Sequence, residues 1–149
     1  MSGNIAIGIQ DFSTIIQGNY FYIDKTPFIK EWWDCGDSAT LITRPRRFGK
    51  TLTMSMVEQF FSIDYAGRSD LFEHLAIWKE EKYRELQGTY PVISLSFARI
   101  KERDYEKTKQ KMCEVLRNIY IKFCYIKDSE KLTDADRAYY ERMLEENIK

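Results

Sequence analysis

The sequence has no net charge, little histidine and few cysteines, and each shortage argues against a class of protein. Lysine and arginine number 23, and aspartate and glutamate also number 23, so no global field draws the chain to nucleic acid or to an anionic membrane. The 3 cysteines, Cys35, Cys113 and Cys124, form no CxxC pair, which argues against a disulfide framework and a zinc site. The single histidine, His74, belongs to no Ser–His–acid or Cys–His arrangement, and we assign it no catalytic role.

Long apolar segments are also missing. No stretch approaches the roughly 20 apolar residues that span a bilayer, and the N-terminus lacks the basic and apolar regions of a secretory signal. We therefore expect a reduced, cytoplasmic protein with no membrane partner. Apolar residues nevertheless make up 44% of the chain and aromatic residues 15%, enough to build a core. The length of 149 residues suits one compact domain.

Two apolar segments predict the strands of a sheet. They are residues 39–43 (ATLIT) and residues 90–97 (YPVISLSF), where the proline is tolerated only at the start of a strand. In the second segment four apolar residues, Val92, Ile93, Leu95 and Phe97, predict burial on both faces, with Ser94 and Ser96 small enough to lie inside. This pattern favours a sheet covered by helices on both sides. Residues 20–23 predict a further, brief strand.

Capping residues and apolar periodicity predict the helices. We expect helices to begin at or just after Asp11, Thr26, Gly49, Asp104 and Thr133. The alternation of these helices with the predicted strands indicates an α/β fold with a mainly parallel sheet. The corresponding fold class is a three-layer αβα arrangement like that of the P-loop NTPases.

The central motif is residues 44–51 (RPRRFGKT), between the first strand and its helix. The usual phosphate-binding loop has the pattern GxxxxGK[ST]; here its second half is intact, and Arg44 replaces the first glycine. Gly49 allows successive N–H groups to face an anion, and the following helix adds the positive end of its dipole. Lys50 can reach the β- and γ-phosphates of a nucleotide, and the Thr51 hydroxyl can bind Mg²⁺.

We predict that this loop binds a nucleoside triphosphate with Mg²⁺. The predicted nucleotide-binding residues are Arg44, Pro45, Arg46, Arg47, Phe48, Gly49, Lys50 and Thr51, and Thr51 is also the predicted metal ligand. One alternative is a basic surface loop with no ligand. Another is a non-enzymatic binding module whose RPRR segment contacts nucleic-acid phosphates or an acidic partner. The neutral overall charge argues against this module, and Phe48 is the one aromatic residue of the loop on which a base could stack.

A working P-loop ATPase also needs an acid at the end of a second apolar strand, and none follows the loop. Residues 92–97 are followed by Ala98 and Arg99. The segment YFYID ends in Asp24, but it precedes the loop, and we interpret Asp24 as part of the start of the next helix. We therefore assign no catalytic residue.

These residues resemble the AAA-ATPase-like proteins of bacteria and archaea. The resemblance rests on IGIQDF (7–12), YIDKT (22–26), LITRPRRFGKT (41–51) and YPVISLSF (90–97). In this family an arginine stands where the first glycine of the loop would be, which fits Arg44. The resemblance implies an ATP-binding domain with lead-in helices and a short strand in residues 1–38, the strand, loop and helix in residues 39–61, and a second core strand with helices in residues 90–149.

Members of this family are typically several times longer than this chain. Their acidic Walker B strand follows further on, and many end in a domain resembling PD-(D/E)XK nucleases. The resemblance therefore implies an N-terminal portion, truncated before the Walker B strand: the full-length protein would be an ATPase, while hydrolysis would need residues beyond this chain. It also allows a homo-oligomer, and contact with nucleic acid through a nuclease-like domain that is absent here.

The resemblance implies a role for two flanking segments as well. Residues 7–12 would border the adenine, and residues 24–26 would approach the nucleotide. The alternative is that Ile9 and Phe12 belong to the core. In the P-loop ATPases with an inserted strand, which this family resembles, the Walker B strand lies between the two strands predicted here. Without it the edges of these two strands would be open, and association or partial disorder is a further expectation.

Overall fold

The computed structural model describes residues 5, 8–43, 45, 48–98 and 100–145, within two compact units, Met1–Val92 and Ile93–Lys149. Among the described residues the regular elements are helical. The α-helices are α1 (Phe12–Gln17), α2 (Pro27–Cys35), α3 (Lys50–Phe61), α4 (Glu81–Arg84), α5 (Tyr105–Lys122) and α6 (Asp134–Glu145). Short 3₁₀ turns lie at Ile63–Tyr65, Ser69–Leu71, Ala76–Lys79 and Cys124–Asp128. Among the described residues, no helix is both long enough and apolar enough to span a bilayer.

The predicted parallel sheet is wrong. The described residues contain no strand at the three predicted positions, 20–23, 39–43 and 90–97. The β pairing among the described residues is one isolated parallel bridge between Ser62 and Tyr90. The predicted burial on both faces is also wrong, because Ile93 is 61% exposed and Phe97 47% exposed. The described residues therefore do not form the predicted three-layer αβα arrangement.

The physical reason lies in what a strand requires. Apolar residues can favour an extended backbone, but a strand exists only through hydrogen bonds to a neighbouring strand. Residues 39–43 and 91–97 have no such neighbour in the part of the chain that the structure describes. The helices, whose backbone hydrogen bonds are internal, need no such partner.

The core of the first unit is built around α3. This helix buries Met56, Phe60 and Phe61. The rings of Phe60 and Phe72 meet edge to face with centroids 5.1 Å apart, and Phe12 stacks on Phe72 at 5.1 Å. Full burial of such a side chain contributes about 2–3 kcal/mol. Other members of this cluster are Ile29, Leu71, Ile77 and Tyr83.

Asp11 connects α1 to α3. Its Oδ1 accepts a hydrogen bond from the Thr14 backbone N–H at 2.8 Å and caps α1, as predicted. Its Oδ2 accepts a hydrogen bond from Gln59 Nε2, in α3, at 2.6 Å. The Phe12 backbone N–H donates to Ser55 Oγ at 3.0 Å, also in α3. The same turn of chain thus begins α1 and fixes it against α3.

The second unit consists of α5, α6 and the 3₁₀ turn between them. Asp104 caps α5. The predicted start of α6 after Thr133 is confirmed, and it has the form of a capping box. Asp136 N–H donates to Thr133 Oγ1 at 3.2 Å, and Asp136 Oδ2 accepts from Thr133 N–H at 3.1 Å. The Tyr140 hydroxyl donates to the Tyr120 carbonyl at 2.6 Å, with the two rings 4.9 Å apart. These contacts pack α6 against α5.

The Asp11 contacts predict a pH dependence of stability. Partial burial raises the pKa of Asp11, but hydrogen bonds from Ser13, Thr14 and Gln59 outweigh this effect and hold the pKa below its usual value. The stabilisation is therefore fully present above the unfolded pKa of about 3.9 and is lost as the pH falls through the folded pKa. We expect Asp11→Asn to lower the free energy of unfolding by about 1 kcal/mol at neutral pH and to flatten its fall below pH ~4.

Urea unfolding followed by circular dichroism at several pH values measures this effect. Asp37→Asn, at an exposed aspartate, is the matched control and should behave as the wild type. Equal slopes against pH in the wild type and Asp11→Asn would contradict the assignment.

Candidate functional site

The candidate site is the N-terminal end of α3, where the sequence Gly49-Lys50-Thr51 stands. Gly49 is the N-cap and has φ 73° and ψ 24°, a left-handed conformation that favours glycine. Its carbonyl accepts hydrogen bonds from the Thr53 backbone N–H at 2.8 Å and from Thr53 Oγ1 at 3.0 Å. These two bonds fix the Gly49 carbonyl and begin the helix at Lys50, as predicted.

Lys50 and Thr51 are both exposed at the start of this helix. An α-helix leaves its first N–H groups without internal acceptors, and its dipole places partial positive charge at the same end. The first turn of α3 contains no acidic residue to balance that charge. The arrangement suits an anion, since N–H groups, a lysine and a hydroxyl meet at one accessible helix end.

The rest of the predicted loop is partly described. Pro45 and Phe48 are exposed, and Phe48 is 61% accessible. Arg44, Arg46 and Arg47 lie outside the described residues. The structure therefore brings Phe48, Gly49 and the two residues after them together at one helix end, while the binding role of the eight loop residues stays a prediction.

Trp32 anchors the segment that leads to the loop. Its indole Nε1 donates a hydrogen bond to Thr40 Oγ1 at 2.9 Å, so α2 holds the chain shortly before residues 44–51. The Trp32 ring meets Phe61 edge to face at 5.6 Å and is thereby tied to α3 as well. Both ends of the loop consequently depend on the aromatic core of the first unit.

Lys25 is a neighbour of the loop that the GKT pattern does not reveal. A Cβ atom placed on Gly49 would lie only 2.9 Å from Lys25 Nζ, so the ammonium group lies against the start of α3. The signal in the sequence was the YIDKT segment, whose residues 24–26 were expected near the nucleotide. Within that segment it is the Lys25 side chain that reaches Gly49.

Tyr22 holds the backbone of Lys25 against α3. The Tyr22 hydroxyl accepts a hydrogen bond from the Lys25 N–H at 3.3 Å and donates one to Met56 Sδ at 3.3 Å. Burial raises the pKa of Tyr22 to about 12, and the Asp24 charge adds to this rise although the Lys25 N–H opposes it. The hydroxyl is therefore protonated at neutral pH and able to donate.

Asp24 has a structural role. Its Oδ1 accepts hydrogen bonds from Thr26 N–H at 2.8 Å and Thr26 Oγ1 at 2.6 Å, and its Oδ2 accepts from Ala76 N–H at 2.7 Å. Thr26 Oγ1 in turn accepts from Ile77 N–H at 3.1 Å. The interpretation of Asp24 as part of the start of α2 is confirmed, and the contacts to residues 76 and 77 add a long-range role that sequence spacing could not show.

Phe12 lies in the core of the first unit. It is fully buried and packs against the rings of Tyr22 and Phe72, so the alternative that placed it in the core is confirmed. Ile9 is half-buried. Ile7 lies outside the described residues.

Comparison with known proteins places the chain among predicted ATPases. A sequence model described as "Predicted AAA-ATPase" matches residues 6–149. The chain therefore belongs to the predicted AAA-ATPase family. It is also similar to a protein of Azotobacter chroococcum mcd 1, described as "Uncharacterized protein in vnfD 5'region", with 33% identity over 113 residues. That match covers 75% of this chain and 20% of the relative, so the chain spans about a fifth of the relative's length. No solved structure matches the chain.

The geometry at Gly49 makes a prediction about stability. Gly49→Ala places a Cβ in a left-handed conformation, at a cost of about 1 kcal/mol, and also against Lys25 Nζ. Because the end of a lysine side chain can swing away, we expect the backbone cost to dominate. Gly36→Ala is the matched control, since Gly36 has φ 65° with open space around its Cβ position. The two variants should lose similar free energies of unfolding in urea titrations, and a much larger loss for Gly49→Ala would show that Lys25 is held rigidly.

Proposed function

We propose that this chain binds ATP, or another nucleoside triphosphate, through residues 44–51, as part of a longer AAA-ATPase-like protein. The observation that carries the proposal is the start of α3, where left-handed Gly49 precedes Lys50 and Thr51 at an accessible helix end. Membership of the predicted AAA-ATPase family supports the same ligand class.

In the proposed complex each group has a separate task. The N–H groups at the start of α3 receive the phosphate oxygens, since they lack acceptors inside the helix. Lys50 contacts the β- and γ-phosphates. The Thr51 hydroxyl would be the protein ligand of a Mg²⁺ ion, which would supply further positive charge for the phosphates. Arg44, Arg46 and Arg47 would add positive charge for the phosphate tail, and Pro45 and Phe48 are the remaining proposed binding residues of the loop.

Hydrolysis is proposed for the longer protein and not for this chain. Asp24 precedes the loop, and both of its carboxylate oxygens are engaged by residues of the first unit. The acid that activates water would come from residues beyond this chain. A homo-oligomer, and nucleic acid bound through a nuclease-like domain outside this chain, are partners proposed on the family resemblance alone.

Calorimetric titration with Mg-ATP tests the proposal. The wild-type chain should show saturable binding, and Lys50→Ala should weaken it at least tenfold, because a hydrogen bond to a charged group contributes about 1.5–3 kcal/mol. Lys79→Ala, at an exposed lysine in the 3₁₀ turn Ala76–Lys79, is the matched control and should bind as the wild type.

Two outcomes would contradict the proposal. One is the absence of saturable heat with Mg-ATP in the folded wild-type chain. The other is salt-sensitive binding of a DNA or RNA oligonucleotide that disappears in Arg46→Ala/Arg47→Ala while ATP has no effect, which would favour the basic binding module instead.

A further inference from the structure

The start of α3 is approached by a lysine, Lys25, that is not part of the phosphate-binding loop. Lys25 Nζ lies 2.9 Å from the position that a Gly49 Cβ would occupy, so a second lysine reaches the helix end that Lys50 begins. No acceptor among the described residues receives a hydrogen bond from this ammonium group, and none of their carboxylates forms an ion pair with it. Its charge is therefore not balanced by this part of the protein.

The position of this ammonium group is electrostatically unfavourable without a ligand. Partial positive charge gathers at a helix N-terminus, which stabilises anions and disfavours cations there. The first turn of α3 supplies no acidic residue, and Lys50 adds a further positive charge. A bound anion would reverse the sign of this effect, because each of these positive groups would then face negative charge.

The contacts around Lys25 hold its backbone in place. The Lys25 N–H donates to the Tyr22 hydroxyl, which donates in turn to Met56 Sδ inside α3. The residues on either side are fixed by the hydrogen bonds between Asp24 and Thr26. The ammonium group thus projects from an ordered segment, so that little backbone entropy would be lost when it contacts a ligand.

Gly49 makes room for the ammonium group. Its positive φ favours glycine by itself, but the same lack of a Cβ leaves open the volume against which Lys25 Nζ lies. The Gly49 position therefore favours glycine through its own backbone, and the absence of a Cβ also lets Lys25, 24 residues earlier in the sequence, approach the helix end.

We propose that Lys25 is a second phosphate-contacting lysine of the nucleotide site, acting beside Lys50 on the polyphosphate of the ligand. This inference rests on the proposed function, since it adds a residue to the same site. Its ligand class is a compound with at least a diphosphate, because the ammonium group adds charge at the phosphate-binding end of α3 and not at a base-binding surface.

Calorimetric titration of the whole chain with ATP, pyrophosphate and AMP tests the role of Lys25. Lys25→Ala should weaken ATP and pyrophosphate binding about tenfold, equivalent to about 1.4 kcal/mol, and should affect AMP less. Lys25→Arg keeps the charge and should retain most of the affinity. Lys79→Ala is the matched control and should bind all three ligands as the wild type.

A thermal unfolding scan without ligand separates binding from structure. Removing an unbalanced cation from the positive end of α3 should leave the unfolding midpoint of Lys25→Ala unchanged or raise it. A lowered midpoint, combined with a failure of Lys25→Arg to retain ATP affinity, would assign Lys25 a structural role and overturn the inference.

The two proposals fail in different ways. If the wild type binds ATP, Lys50→Ala weakens the binding and Lys25→Ala does not, the inference about Lys25 is wrong and the proposed function stands. If the folded wild type binds neither ATP nor pyrophosphate, the proposed function fails and the role of Lys25 fails with it.

Discussion

The packing of α3 into an aromatic core is the constraint on which the rest of the first unit depends. The rings of Phe60 and Phe61 contact other aromatic rings of the core. On the same helix, Gln59 donates a hydrogen bond to the Asp11 carboxylate, and Ser55 accepts one from the Phe12 backbone N–H. One face of α3 is therefore committed to the interior. Because the helix cannot shift without breaking these contacts, the backbone at its N-terminal end is held in a fixed position.

The functional proposal follows from the charges at that fixed end. A left-handed glycine directs the chain into α3, Lys50 and Thr51 open its first turn, and the Lys25 ammonium lies against the same glycine. The helix dipole and the two lysines have the same sign. The first turn of α3 has no acidic residue, so we propose that an anion from solution balances this charge. Membership of the predicted AAA-ATPase family favours a nucleotide phosphate tail as that proposed anion.

Features with local causes could be predicted from the sequence. Asp11 caps α1 and Thr133 caps α6 through residues three positions further on, and Gly49 begins α3 through its own backbone conformation. Strands could not be predicted in the same way, because residues 91–97 have strand-like composition but need a neighbour that the described chain does not supply. The approach of Lys25 to Gly49 was equally hidden, since it depends on how Tyr22 packs against α3.

The central claim is that the start of α3 is a phosphate site, and amide chemical shifts test it most directly. In a ¹⁵N-labelled sample titrated with Mg-ATP, the account predicts saturable shifts that are largest at the Gly49, Lys50 and Thr51 amides. Pyrophosphate should move the same amides. Saturable shifts confined to other residues, or no saturable shift at these three amides, would contradict the account.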